Sequence, residues 1–279
     1  MTDNYVSLYL QSAFASENYL TFLALLFLFM GRMLPIITFV PFFGGKLLPR
    51  PVKITFALSI FAIFLPQLLT EVTTPIALNY TIFLLLAKEV FIGILLGFFL
   101  NIPFVVVQCT GILIDHQRGG SSLMVNDPTM QNQSSPLGTL FNYVLIYLFF
   151  LMEGPFTVLE ILSQSFTIIP PDKLFNAAIF HNPSVIFQNV IKVLGKIIIL
   201  ATQLASPALI MILMTDFFLG IANRLAPQVQ ITFLGMPLKS LLALTVVFFG
   251  WTLFAPEIAS QAQKALQFAI LLIQQFKSL

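Results

Sequence analysis

The sequence predicts an all-α polytopic membrane protein, and three observations predict it. Hydrophobic residues make up 58% of the chain and charged ones only 9%, with a mean hydropathy of +0.96, whereas a soluble domain carries about 25% charged residues. Long apolar runs recur, about six of them, and about 20 apolar residues are enough to cross a hydrocarbon core. Several of these runs are interrupted by Pro or Gly and carry isolated ions, which marks helices that need protein neighbours.

The same composition excludes other classes. A net charge of +2 arises from 13 basic and 11 acidic groups spread thinly, so no basic stripe suits nucleic acid. The single Cys109 can build neither a disulfide nor a cysteine-based metal site. His116 and His181 are the two histidines, neither has a second ligand at metal spacing, and neither HExxH, nor a G-x-S-x-G elbow, nor a P-loop occurs. No catalytic residue, metal or cofactor is therefore expected.

Taken in order, Met1 to Glu17 carries Asp3 and Glu17 but no Lys or Arg. It thus lacks the positive region of a cleaved signal peptide, and the first apolar run is expected to remain in the mature protein. Asn18 to Phe43 is a spanning candidate with Arg32 near its middle and Pro35 and Pro41 behind. An arginine at that depth costs at least about 2.5 kcal/mol, so it is expected to face protein, water or a carboxylate. Gly44 to Lys53 is a turn with Lys46, Arg50 and Lys53, a cluster that favours the cytoplasmic side.

Ile54 to Leu69 is a short apolar segment that Pro66 is expected to break, and Glu71 to Pro75 forms a turn. Asn79 to Ile114 is too long for one simple span and contains Lys88 and Glu89. Neighbours on a helix do not face each other, so these two are expected to pair with separate partners, Arg32 being the candidate for Glu89. Gly93 and Gly97 have the spacing that admits a close helix neighbour, read here as packing.

A polar stretch from Asp115 to Pro136 then separates two very apolar regions. It holds Asp115, Gln117, Arg118, Gly119, Gly120, Ser121 and Ser122, followed by Asp127-Pro128. Loops of this length tend to be functional or disordered, and Gly119-Gly120 with Asp127-Pro128 favours an ordered fold-back. The other reading is an ordinary solvated connection between two helices, and the residues leave both open.

Beyond it, Leu137 to Met152 and Phe156 to Ile169 flank Glu153-Gly154-Pro155, either a kink or a tight turn, and Pro170-Pro171 closes the region. After a second loop, Asp172 to Pro183, a long run from Ser184 to Gly220 carries Lys192 and Lys196 at i and i+4, Ser206-Pro207 and Asp216. One face of that helix is doubly cationic, which lipid alone does not suit. Ile221 to Lys239 reads as a Pro/Gly-broken connection holding Arg224 and Lys239, Ser240 to Phe254 as a clean span, and Pro256 to Leu279 as an interfacial or docking helix.

Taken together, these residues resemble the SctT/FliR family, the membrane subunit of the type III secretion export gate. The resemblance is carried by Arg32, Pro35 and Pro41-Phe42-Phe43-Gly44, by Glu89 with Gly93 and Gly97, and by Gly111-x-x-x-Asp115-x-Gln117-Arg118-Gly119. It continues through Asp127-Pro128, Gln133-Ser134, Gly154, Ser165, Pro170 and Pro207 to Gly220-x-x-x-Arg224-x-x-Pro227-Gln228, Pro237 and Lys239. No one motif is specific; their collinear order from Arg32 to Lys239 is. The Asp-x-Gln-Arg-Gly string is more similar to the injectisome branch than to the flagellar one, and Gly120 departs from the small side chain more usual there.

The resemblance implies a subunit of a helical export-gate assembly in the bacterial inner membrane, beside SctR-like and SctS-like subunits, a SctU-like switch protein and a SctV-like component. Unfolded secreted proteins would be the cargo. Residues 18–171 would form a SctR-like part with the central loop 115–136, 184–256 a SctS-like hairpin and 257–279 a tail helix. The residues Asp115 to Ser122 would act as a gate or plug, and Arg32, Glu89, Lys192, Lys196, Asp216 and Arg224 would contact neighbouring subunits. A secondary transporter of a small solute is the competing class, since intramembrane ions and broken helices also mark solute paths.

Overall fold

The structure, a computed structural model, describes residues 19–45, 48–72, 80–119, 135–174, 183–225 and 231–278. Among these the chain is helical without a strand: α1 Tyr19–Phe39, α2 Arg50–Glu71, α3 Thr81–Gln117, α4 Pro136–Leu151, α5 Gly154–Ile168, α6 Pro183–Leu225, α7 Ile231–Phe249 and α8 Trp251–Ser278, with a 3₁₀ turn at Pro41–Phe43. Four helices are long and apolar enough to span a membrane, and six spans result if each bent pair, α4–α5 and α7–α8, counts as one. The polytopic all-α reading holds.

Element boundaries follow local chemistry. Val40 leaves the helical region before Pro41, and Gly44, at φ +78°, returns its N–H to Pro41 O at 2.9 Å. A side chain at Gly44 would meet Leu48 Cγ at 2.5 Å, so both conformation and space require glycine. Ser135 caps α4 by accepting from Gly138 N–H, with Pro136 in the first turn. At Glu153-Gly154-Pro155 the chain makes a turn between two helices, with Glu153 itself in the left-handed region at φ 55°.

Three boundaries differ from expectation. Pro66 does not break its helix: α2 runs from Arg50 to Glu71 with Pro66 inside. Proline removes one donor and one rung, and buried Leu65 and Leu68 on either side hold the remaining turns in register. Residues 221–239 are helical at both ends, since α6 continues to Leu225 and α7 starts at Ile231, through Gly235 and Pro237. The span expected up to Phe254 stops at Phe249, where the chain bends by 68° at Gly250 into α8.

Contacts divide the chain into two compact units, one of Met1–Asn101, Glu153–Val185 and Lys264–Leu279, the other of Ile102–Met152 and Ile186–Gln263. In the first, Phe29 is the aromatic hub, 5.4 Å from Phe61, 5.9 Å from Phe64 and stacked on Phe166 at 5.5 Å. The first half of α3 lies against α1 through Gly93, where a Cβ would stand 2.3 Å from the Arg32 carbonyl oxygen, and Gly97, where it would meet Phe39 Cβ at 3.1 Å. The GxxxG spacing therefore serves packing inside the chain.

In the second unit, α3 and α4 approach until backbone meets backbone. A Cβ on Gly111 would lie 2.2 Å from Gly138 N. Phe141 stacks on Phe254 at 6.5 Å and lies 6.5 Å from Trp251. Helix α6 buries one stripe, Val193, Ile197, Ala201, Leu204, Ala205, Ala208 and Ile212, at helical spacing. Thr110 donates to Ala201 O at 3.3 Å, tying α3 to that stripe.

Candidate functional site

The first unit is built around an ion network that the apolar sequence forces to be internal. Arg32 on α1 is wholly buried, as is Glu89 on α3. Nη2 of Arg32 donates to Glu89 Oε1 at 2.9 Å and to Ile169 O at 2.9 Å, while Nε donates to Glu89 Oε2. Nη1 donates to Ser165 Oγ at 2.9 Å, and the guanidinium lies 4.0 Å from the centre of the Phe166 ring. A bidentate pair, with two further donors taken by Ser165 and the Ile169 carbonyl, is the geometry that lets a buried charge persist.

Lys88 corrects an expectation. Its Nζ reaches Glu89 Oε1 at 2.8 Å as well as Pro170 O and Lys173 O, both at 2.8 Å. Adjacent Cβ atoms diverge on a helix, but the four-carbon stem bends round far enough for the ammonium to share its hydrogens between the carboxylate and the carbonyls that follow α5. Arg32 and Lys88 together thus satisfy the carbonyls beyond the end of α5, where the helix dipole also favours cations.

Arg32 and Glu89, expected at contacts with neighbouring subunits, are therefore met inside the chain. Asp216 pairs with Lys239 on α7 at a half-exposed position, whereas Lys192, Lys196 and Arg224 are exposed and have no ion-pair partner among the described residues.

In the second unit the organising residue is Asp115, fully buried near the end of α3. Its Oδ2 accepts the Ser135 hydroxyl and the Leu137 N–H at 3.0 Å, and its Oδ1 accepts Arg118 Nε at 2.8 Å. Arg118 in turn donates to Ser240 Oγ on α7 at 3.0 Å. One carboxylate thus joins the last turn of α3 to the first turn of α4, with α7 held through the arginine. Gln117 is exposed at the end of α3, and Gly119 has φ +86°. Gly120, Ser121 and Ser122, expected in the gate, lie outside the described residues.

Ser135, Ser240 and Lys88 were missed as site residues. Ser135-Pro136 did carry a signal, the N-cap followed by Pro at the first helical position; Ser240 carried none.

Asp115 yields a direct prediction. Asp115→Asn keeps the shape and removes the charge that three donors share, and is expected to lower stability by about 1.5–3 kcal/mol, the range for hydrogen bonds to charged groups. Ser135→Ala is expected to cost about 1 kcal/mol as a lost cap. Thermal unfolding of the detergent-purified protein measures both, and equal, negligible shifts would refute the latch.

Residues 23–265 match the family described as "Bacterial export proteins, family 1". The Yop proteins translocation protein T of Yersinia pestis is 30% identical over 223 residues, covering 80% of each chain. Surface presentation of antigens protein SpaR of Shigella flexneri is 28% identical over 232 residues, 83% of this chain and 87% of that one. Flagellar biosynthetic protein FliR of Buchnera aphidicola subsp. Acyrthosiphon pisum is 28% identical over 236 residues, 85% and 88%. Together with four to six apolar spans, these matches establish that the chain belongs to family 1 of the bacterial export proteins, the SctT/FliR family, as a multi-pass inner-membrane subunit of an export apparatus.

Proposed function

We propose that this subunit joins SctR-like and SctS-like partners to form the gated pore of a type III export apparatus, of the injectisome branch, through which unfolded proteins leave the cell. In this reading residues 18–171 act as the SctR-like part, 184–256 as the SctS-like hairpin and 257–279 as a tail helix, with SctU-like and SctV-like proteins adjoining. The segment Asp115 to Ser122 acts as the plug, and the Asp115–Ser135–Leu137 latch sets where its two feet stand.

The observation that carries the reading is α6. It buries one stripe and leaves Ile191, Leu194, Ile198, Ile210, Phe217 and Phe218 exposed, with Lys192 and Lys196 on the side away from the packed stripe. Two unmatched cations one turn apart among exposed apolar residues call for carboxylates or carbonyls from a neighbour. Arg224 and the half-exposed Asp216–Lys239 pair extend that contact surface toward α7.

Tagged protein expressed with its genomic neighbours and purified in mild detergent is expected to bring down small, very apolar partners in one complex of defined size. Lys192→Glu with Lys196→Glu is expected to lose that complex while the subunit still accumulates in the membrane. A lone monomer or dimer that binds a small solute would overturn the proposal.

A further inference from the structure

Helix α5 has a continuous polar face, and that face has no role in the network described above. At 3.6 residues per turn, Thr157, Glu160, Ser163, Gln164 and Thr167 fall within about a third of its circumference. Phe156 is the apolar residue that shares this arc, and exposed Glu153 stands at its start. The opposite face, Val158, Ile161, Leu162, Ser165 and Phe166, is buried.

Helix α2 widens the strip. Gln67 donates to Ser163 O at 3.1 Å and accepts from Ser163 Oγ at 2.9 Å, and Glu71 accepts from Thr167 Oγ1 at 3.0 Å. The result is a band from two helices, roughly 20 Å long at about 1.5 Å per residue, carrying Glu71, Glu153 and Glu160 and no cation.

Lipid cannot cover such a band, because three carboxylates and a row of amides and hydroxyls would lose their water. On α6, by contrast, most of the exposed side chains are Leu, Ile, Met and Phe, interrupted by Lys192, Lys196 and Arg224, and the apolar stretches among them suit lipid or an apolar neighbour. The band is also unlike a clamp. Its side chains are short or bonded to one another, and it offers donors and acceptors without a deep apolar pocket, a surface that passing backbone amides can exchange for water.

We infer that the α5–α2 band is the wall this subunit contributes to the aqueous passage, and that an unfolded polypeptide in transit slides along it. The inference rests on the export-gate reading and adds which face of the subunit meets cargo.

The test uses the assembled apparatus in membranes, with Cys109→Ala and single cysteines placed by Glu160→Cys, Gln164→Cys and, as a reference on an apolar exposed position of α6, Ile198→Cys. A membrane-impermeant thiol reagent is expected to label the two band positions and not the reference. A cargo protein stalled by a folded C-terminal domain is expected to abolish that labelling, and a photoreactive residue at position 164 is expected to cross-link to the stalled cargo. As a second variant, Glu153→Lys with Glu160→Lys is expected to reduce export without loss of co-purifying partners. Band positions that stay unlabelled in an exporting complex, or that cross-link only to a neighbouring subunit, would overturn the inference. Absence of any co-purifying partner would instead refute the export-gate reading itself.

Discussion

Glu89→Ala is expected to destabilise the protein by about 3–5 kcal/mol, the cost of removing one partner from a buried ion pair. Glu89 closes two cations at once: Arg32 through two hydrogen bonds and Lys88 through a third contact. Alanine would leave both buried beside α5, with only Ser165 and the carbonyls of Ile169, Pro170, Pro171 and Lys173 as acceptors. The expected result is a marked drop in membrane-fraction abundance and an earlier thermal transition in detergent. Replacing all three charges, Arg32→Met with Lys88→Met and Glu89→Leu, is expected to recover much of the loss, since a well-packed apolar cluster often equals a buried ion network, whereas leaving Lys88 in place would keep an uncompensated cation. A Glu89→Ala protein as abundant and as heat-stable as the parent would sink this account.

Gly111→Ala is expected to be as damaging by a different route. Its new methyl group would stand 2.2 Å from Gly138 N and 2.3 Å from Gly138 Cα, so the obstacle is backbone and no rotamer change can relieve it. Helices α3 and α4 would have to separate, and Asp115, one turn further along α3, would be drawn away from Ser135 and Leu137. Overpacking costs about 1–3 kcal/mol where side chains can yield, and backbone cannot, so at least the upper end is expected. Gly195→Ala supplies the control: nothing lies within 4 Å of the added carbon. In a helix interior that change is expected to be neutral or to stabilise by up to about 1 kcal/mol. Matched thermal shifts for the two variants would show that the α3–α4 contact is not as close as described.

How much of this was legible from the residues varies with the kind of group involved. Arg32 and Glu89 could be paired in advance because an isolated charge in an apolar run demands a complement, and few complements exist in such a chain. Lys88 could not, because its main acceptors are main-chain carbonyls beyond α5, and carbonyls have no sequence signature. Pro66 misled for a physical reason: its local rule describes helix in water, whereas packed apolar helices tolerate the missing rung. The close approach of Gly111 to Gly138 was invisible because each glycine, taken alone, is compatible with many environments. Asp115 was recognised as notable within its polar string, but its partner Ser135 sits 20 residues on and became meaningful once α4 was known to begin there.

The Arg32 network also dictates an order of events during synthesis. Glu89 follows Arg32 by 57 residues, Ser165 by 133 and Ile169 by 137. At about 5–20 residues per second the arginine emerges roughly 3–11 s before its carboxylate and roughly 7–27 s before the last carbonyl. Helix α1 therefore enters the bilayer with an uncompensated cation and settles only after α3, and then α5, have left the ribosome. Helix α1 is thus made before the helices that secure it, and Arg32 waits through that interval for its partners.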